Sequence, residues 1–522
     1  MLYTYYLFAI YFFFISIYSA KAQSLVTSQD FSLQSPFSEP DGRNDVIELS
    51  STDFITLAKV KGNQSGKSDF LLERYGQDLK PLWQTPLAIE SYEDYEDIYF
   101  NGKEVVLLSI VHNTSEKKTK LEAYGFNIAN GQKTWNKELE SYPILDWKAN
   151  PHKGRVKESF VDLVCEHTDP NFVTPFEYKH NVRFSPDGSK FISYVYDYSK
   201  DQLIANVCIY DNACNLISSG KVGIDNGFVS QGLYINNDGL IYIINATPLG
   251  SLNVIQYNLA SKDFKLLELP GENFQKDDFG IHFLNNDELY VGNSELAQGK
   301  LIGVTFTKFD FKSDTIEKTV FYPLGADFKS KLIQERKANK QIKGDEDWQD
   351  YDLTHFVVEP NENILFTLEK RSLYADGYPH IGRDFFDESH QVTFSGHVYA
   401  EGIILLYFKG DNSLAWSNYV PKSQVYPADD GLNTISFVVN NTSAAVNLLY
   451  VTSESMDGLL TTINLININK ANGQESPVKT LPNSNKISLV KDFTIFRDDK
   501  TLIVVGKKGL LGKSSLICKY NY

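Results

Sequence analysis

The 522-residue chain returns eight times to one local pattern, in which Gly, Asn, Asp or Ser separates two runs rich in β-branched and aromatic residues. The copies are LSSTDFITLA (49–58), YFNGKEVVLL (99–108), FSPDGSKFIS (184–193), INNDGLIYII (235–244), FLNNDELYVG (283–292), VEPNENILFT (358–367), VNNTSAAVNLLYV (439–451) and FRDDKTLIVV (496–505). Small polar residues and Gly accept the backbone angles of a tight turn, while the flanking residues favour strands, so each copy reads as a β-hairpin. One hairpin constrains little. Eight in series define an array.

A second pattern interleaves with the first: YGQDLKPLW (75–83), FNIANGQKTW (126–135), YDNACNLI (210–217), YNLASKDFKLL (257–267), FDFKSDTIEK (309–318), FKGDNSLAW (408–416) and INKANGQES (468–476). Here a strand ends in a polar turn and another begins. Each unit therefore carries four strands, a to d, with tight a–b and c–d turns, and the compact units recur about every 50 residues. A four-stranded sheet of this size cannot bury both of its faces alone. The units must pack on one another, and a closed ring leaves no face uncovered. The expected fold is all-β, a single β-propeller of four-stranded antiparallel blades. Eight turns of the first kind predict eight blades, with seven as the alternative if the first hairpin is not a blade. The last unit stops at LICKYNY before its fourth strand, and SLVTSQDFSLQ (24–34) is the segment expected to supply that strand and close the ring.

The stretch NVRFSPDGSKFISYVYD (181–197) resembles the inner hairpin of WD-repeat and related propellers, without the Gly-His and Trp-Asp marks of true WD repeats. From about 358 to 450, a strand with Glu369, a polar insertion, then LAWSNYVPKSQ (414–424) and LLYV (448–451) resemble an uncharacterised group of exported propeller-like proteins of Bacteroidota. The first likeness implies a fold; the second implies no activity.

Strands running up and down place the a–b and c–d turns on one face of the ring and the b–c and d–a connections on the other. The long insertions 143–179, 325–351 and 372–396 all fall in the second class. Long loops on a rigid scaffold are where binding functions concentrate. Two stretches expected on that face, ESYEDYED (90–97) and DEDWQDYD (345–352), mix carboxylates with aromatic rings, which together offer acceptors and stacking faces to a cation, a sugar or a basic peptide. The candidate ligand face comprises Tyr92, Glu93, Asp94, Tyr95, Asp347, Trp348, Tyr351, Tyr374, His380, Arg383 and His390. The alternative is a solvated acidic rim. Four of the nine His residues, His152, His167, His380 and His390, lie in these insertions, but their spacing matches no metal motif and no calcium loop is present. No cofactor is expected. Segment 326–346 reads as a helix with Phe328, Leu332 and Ile333 forming an apolar patch.

An apolar run from Leu7 to Ile17 precedes Ala20 and Ala22 in A-x-A spacing, so residues 1–22 are expected to be a secretory signal peptide, with 23–44 an N-terminal segment and 45–522 the propeller. That places the protein in the periplasm, on the cell surface or outside the cell. No later segment has 18 uninterrupted apolar residues, so no membrane span is expected. A formal charge of -16 argues against nucleic acid as a partner. The four cysteines form no C-x-x-C pair, and Cys208 and Cys214 are near in sequence, but Cys214 falls in the predicted turn YDNACN. Buried, idle thiols are the simpler reading.

Catalytic motifs are missing. GLLGKSS (509–515) imitates a P-loop, but its first Gly is misplaced by one residue and no helix follows. The leading expectation is an exported, non-catalytic binding or scaffolding propeller whose insertion-bearing face meets a protein or a glycan. The alternative is a propeller enzyme, such as a glycoside hydrolase or lyase, with two channel carboxylates.

Overall fold

A computed structural model describes residues 24–31 and most of 46–522. Residues 1–23, 32–45, 144–180, 270–278, 331–347, 376–379, 384–389, 428–436 and 454–460, with several other short loops, lie outside the described residues. The expected signal peptide, nearly all of the first insertion and most of the second therefore lie outside the described residues. The described chain forms eight four-stranded antiparallel sheets and one two-stranded hairpin. In the first blade the strands a to d are Val46–Glu48, Phe54–Val60, Lys67–Tyr75 and Pro81–Glu90, hydrogen-bonded in that order. The next six blades occupy 93–143, 181–224, 229–269, 279–323, 351–427 and 437–481 in the same order. In the sixth, the hairpin His380–Arg383/His390–Thr393 interrupts the b–c connection.

The eighth blade is assembled from both ends of the chain. Strands Ile487–Phe496, Thr501–Lys508 and Ser514–Asn521 are completed by Ser24–Phe31, which pairs antiparallel with the last of them from Ser24↔Asn521 to Phe31↔Ser515. The expected closing strand is present and the ring has eight blades.

The turns follow the chemistry of their sequences. In FSPDGSKF the Ser185 amide bonds the Lys190 carbonyl at 2.9 Å, the Asp187 carboxylate accepts from the Ser189 amide, and Gly188 takes φ of 66°, a conformation costly for residues with a Cβ. Asn236 does for INNDGLIY what Asp187 does here, accepting from the amides of Asp238 and Leu240.

Strands b and c read as nearly unbroken apolar runs because both faces of each blade are covered. In the sixth blade Ile404, Leu406 and Phe408 face the fifth blade, whereas Ile403, Leu405 and Tyr407 face the seventh. The period-two alternation of a strand thus sorts one sequence into two cores. Eight apolar clusters result, one per seam. The seam between the eighth and first blades buries Ile495, Ile503, Val505 and Ile517 against Phe54, Tyr75 and Leu79. Ring closure is thereby a packed interface as well as a strand pairing.

The a–b and c–d turns share one face, as expected: the Asn212 amide bonds the Ser189 carbonyl, Phe311 that of Asp287, and Lys470 that of Ala444. On this face a strand side chain of one blade donates to a c–d turn carbonyl of the next at five seams: Trp83 to Ile128, Lys137 to Cys214, Lys265 to Phe311, Trp416 to Lys470 and Lys519 to Gln77. The tetrapeptide Ala-Asn-Gly-Gln occurs at 129–132 and 471–474, and in both places its Gly, with φ of 70° and 69°, receives the preceding blade's Trp. A Cβ on Gly131 or Gly473 would lie 2.5 or 2.6 Å from Trp83 or Trp416. The recurrent turn signature therefore serves the joints between blades.

Of the 326–346 helix, the described residues 326–330 are helical and Phe328 packs against the core of the fifth and sixth blades. Among the described residues, Cys208, Cys214 and Cys518 are free and buried. Burial raises the Cys208 thiol to about 12 and the Cys518 thiol to about 11, as befits inert core groups.

Candidate functional site

The residues expected to form a ligand face do not share one environment. Glu93, Asp94 and Tyr95 belong to strand Glu93–Phe100, the innermost of the second blade, so only residues 91–92 connect it to the first. ESYEDYED is chiefly strand where a loop was expected, because its alternating aromatic residues continue a strand pattern into Ile98 and Tyr99, both buried. Tyr92 and Asp347 lie outside the described residues. Trp348 and Tyr351 are buried at 7% and 2% exposure and stack with ring centroids 5.9 Å apart in the fifth–sixth seam. The Trp348 carbonyl accepts from the Leu301 amide at 2.8 Å, and the Lys329 ammonium sits 5.0 Å from its ring. Both residues here serve packing.

Tyr374, His380, Arg383 and His390 belong to the sixth blade's extension. Strand b runs Ile364–Ala375 and strand c Gly396–Phe408, and they pair to their ends, with Tyr374 opposite His397 and Ala375 opposite Gly396. In the hairpin beyond, Arg383 stands opposite His390. Strands b, c and d of this blade have 12, 13 and 14 residues, against 10, 10 and 11 in the second blade and 6 each in the fourth. Each has one end at the turn face, so the surplus over the second blade, about 7–10 Å at roughly 3.3 Å per residue, extends the opposite face as a β-arm, which the hairpin beyond it continues.

At the base of this arm lies a constellation that the sequence pattern did not single out as a site. Lys422 donates to Glu369 at 2.5 Å, and neither side chain has any exposed surface. Arg371 Nε reaches the second carboxylate oxygen at 2.7 Å, and Lys422 also bonds Gln424 Oε1 at 3.3 Å. Phe437 of the seventh blade lies beneath the ammonium, 5.8 Å from its ring centroid, and against His355. Burial pulls Lys422 down to about 8, with Glu369 opposing the shift.

Two register shifts at one level make this geometry. Strands b and c slip between Glu369 and Lys370, and strands c and d between Glu401 and Ile403, where Pro421 and Lys422 are the extra residues opposite Gly402. Pro has no amide hydrogen to lose from a ladder, so it suits a bulge, and bulges re-aim side chains. The element LAWSNYVPKSQ is thereby accounted for. Trp416 locks to the seventh blade, Val420 joins its core, Pro421 forms the bulge, and Lys422 and Gln424 complete the buried pair. The signal was the lone Glu369 in an apolar strand and a Lys following Pro in another. Without the bulges, alternation does not show that they meet.

A depression of about 660 Å³ lies on the opposite, turn face, lined by residues that include Asn237, Asn286, Asp287, Asp310 and Lys312 of the fourth and fifth blades. Among the described residues no group of three or more His, Cys, Asp or Glu is arranged to hold a metal ion, and no helix is long and apolar enough to cross a membrane.

No family model and no curated sequence matches the chain. Among solved structures it is similar to a prolyl endopeptidase, at 9% identity and a TM-score of 0.40 over 89% of this chain, which spans 55% of that enzyme. Sqt1 of Saccharomyces cerevisiae matches at 8% identity and a TM-score of 0.40, over 91% of this chain and 99% of that one. The WD40 domain of SCAP from fission yeast matches at 10% identity and 0.34, over 92% and 95%. Likenesses at this level carry no functional implication. What the chain is rests on its own eight sheets, and it is an eight-bladed β-propeller.

Proposed function

We propose that the protein is an exported, non-catalytic binding or scaffolding propeller that meets a protein or a glycan with the face carrying its b–c and d–a connections. The β-arm of the sixth blade is the observation that carries this reading. Strands b and c stay paired to Ala375↔Gly396, and a further hairpin continues beyond. A long paired extension adds nothing to ring closure. Its base is held by a buried ion pair, which gives a projecting element a fixed direction. Export rests on the N-terminal apolar run and the A-x-A spacing.

The test replaces residues 376–395 with Asn-Gly, which closes strands b and c through a two-residue turn. The shortened protein is expected to fold and to lose capture of partners from the surface fraction of the exporting cell. Unchanged capture sinks the reading. The enzyme alternative, a glycoside hydrolase or lyase, predicts cleavage of polysaccharide that survives removal of the arm and is lost on substituting an inner-strand carboxylate such as Glu48.

A further inference from the structure

Each blade ends in an outer strand whose free edge offers unpaired backbone groups to another chain, and native sheets blunt such edges with bulges, Pro or brevity. Among the described residues, seven of the eight edges are blunted in this way. A register shift breaks the outermost pairing of the first, second, third, fifth, sixth and eighth blades, and the first and sixth add Pro86 and Pro421 within the outer strand. In the seventh the outer strand has only three residues, Lys479–Leu481. The fourth blade has no such device: Phe264–Leu269 pairs with Leu252–Tyr257 in unbroken register and contains no Pro.

That edge is also apolar. Phe264 is 66% exposed and Leu266 46%. Strand side chains alternate, so these two share one face, while Lys265 and Leu267 point the other way, into the seam with the fifth blade. There Lys265 donates to the Phe311 carbonyl and meets Asp314 at 2.9 Å, and Leu267 joins the core. The one Lys within the strand is therefore held by the neighbouring blade and does not guard the edge. Apolar residues exposed singly are ordinary. Two on one face of a regular, unguarded edge are what strand addition uses.

We propose that this edge is a dimerisation surface, at which two copies of the chain pair antiparallel through Phe264–Leu269 about a two-fold axis at Leu266. A two-fold axis perpendicular to the joint sheet sets one residue opposite itself. With Leu266 there, Phe264 stands opposite Glu268 of the second copy and diagonal to its Leu266, so four apolar side chains form one stripe across the joint. Moving the axis to Lys265 would oppose two ammonium groups, and moving it to Leu267 would set Leu266 against Glu268 and leave Phe264 beyond the pairing. Charge supports the same register, because Glu268 of one copy comes toward Lys262 of the other, exposed two positions before Phe264. Lys262 and Lys265 offset Asp263 and Glu268, so the edge is locally neutral within a chain of formal charge -16 and the two copies meet where their repulsion is least.

The experiment is analytical ultracentrifugation of the full chain across a micromolar range, with melting curves and cysteine cross-linking. The wild type is expected to dimerise reversibly with concentration. Leu266→Lys sets two ammonium groups opposite each other at an exposed position, and is expected to weaken dimerisation by about tenfold or more without moving the melting temperature. Cross-linking reads the register. Under oxidation Leu266→Cys is expected to join two copies, because directly opposed Cβ atoms lie about 4.5–5.5 Å apart, whereas Phe264→Cys, about 13 Å from its counterpart at roughly 3.3 Å per residue, is not. A monomer at every concentration, including one whose edge takes up an apolar peptide instead, overturns the proposal. So does a dimer indifferent to Leu266→Lys, or one that Phe264→Cys cross-links as readily as Leu266→Cys.

Discussion

Lys422 and Glu369 form an ion pair 2.5 Å long in which neither side chain has exposed surface. Water is excluded, so the Lys422 charge depends on Glu369, while Glu369 also keeps Arg371 at its second oxygen. Removing one partner strands a buried charge, at a cost of about 3–5 kcal/mol, whereas replacing both with apolar side chains of similar size is often neutral or stabilising. Lys422→Met or Glu369→Leu alone is expected to lower stability in urea unfolding by that amount, and the double variant to recover most of it. Additive losses refute the coupling.

The Trp–Gly joints make a second prediction. Gly473→Ala places a Cβ 2.6 Å from Trp416 on a backbone with φ of 69°, so strain and steric overlap act together. Trp416→Phe keeps much of the ring and removes the 2.8 Å bond to the Lys470 carbonyl, a loss of about 1 kcal/mol. Thermal unfolding is expected to rank Gly473→Ala below Trp416→Phe, and Gly131→Ala and Trp83→Phe to repeat the order. Equal midpoints for the glycine variants and wild type exclude the joint.

Closure by the N-terminal strand is testable by hydrogen exchange. Deleting residues 24–31 turns Ser514–Asn521 from an inner strand into an edge and uncovers amides that now pair with Ser24–Phe31. Exchange is expected to accelerate in 514–521 while the fourth blade stays protected. Unchanged protection in the eighth blade contradicts the pairing.

Glu140 sets a pH dependence whose sign follows from burial. Its folded value lies above the ordinary 4.5, so the folded state holds the proton more tightly than the unfolded chain. Its contribution to stability is fully present below pH 4.5 and declines as pH rises toward the folded value, by about 1.4 kcal/mol per unit of difference. Burial raises Glu73 too, so the wild type owes its slope to more than one group. Glu140→Gln is expected to flatten, without abolishing, the fall in chemical-denaturation stability above pH 4.5. An unchanged slope shows that Glu140 does not hold its proton.

The sequence by itself determined the local grammar and, through repetition, the architecture. FSPDGSKF and its seven counterparts specify hairpins because Gly, Asn and Asp supply turn geometry within a few residues, and SLVTSQDF marked the strand that the last unit lacked. Tertiary structure decided which polar residues meet. Tyr351 and Trp348 look like ligand-facing aromatics in DEDWQDYD and are core, because the fifth blade covers them. Glu369 and Lys422 are 53 positions apart and become partners only through two bulges, which interrupt the alternation that makes strands readable. Seams between blades bring together residues with no local relationship, so Glu140 and Ser193, unremarkable in sequence, interact across one. Hairpins follow from neighbours in the chain, whereas sites follow from neighbours across a seam.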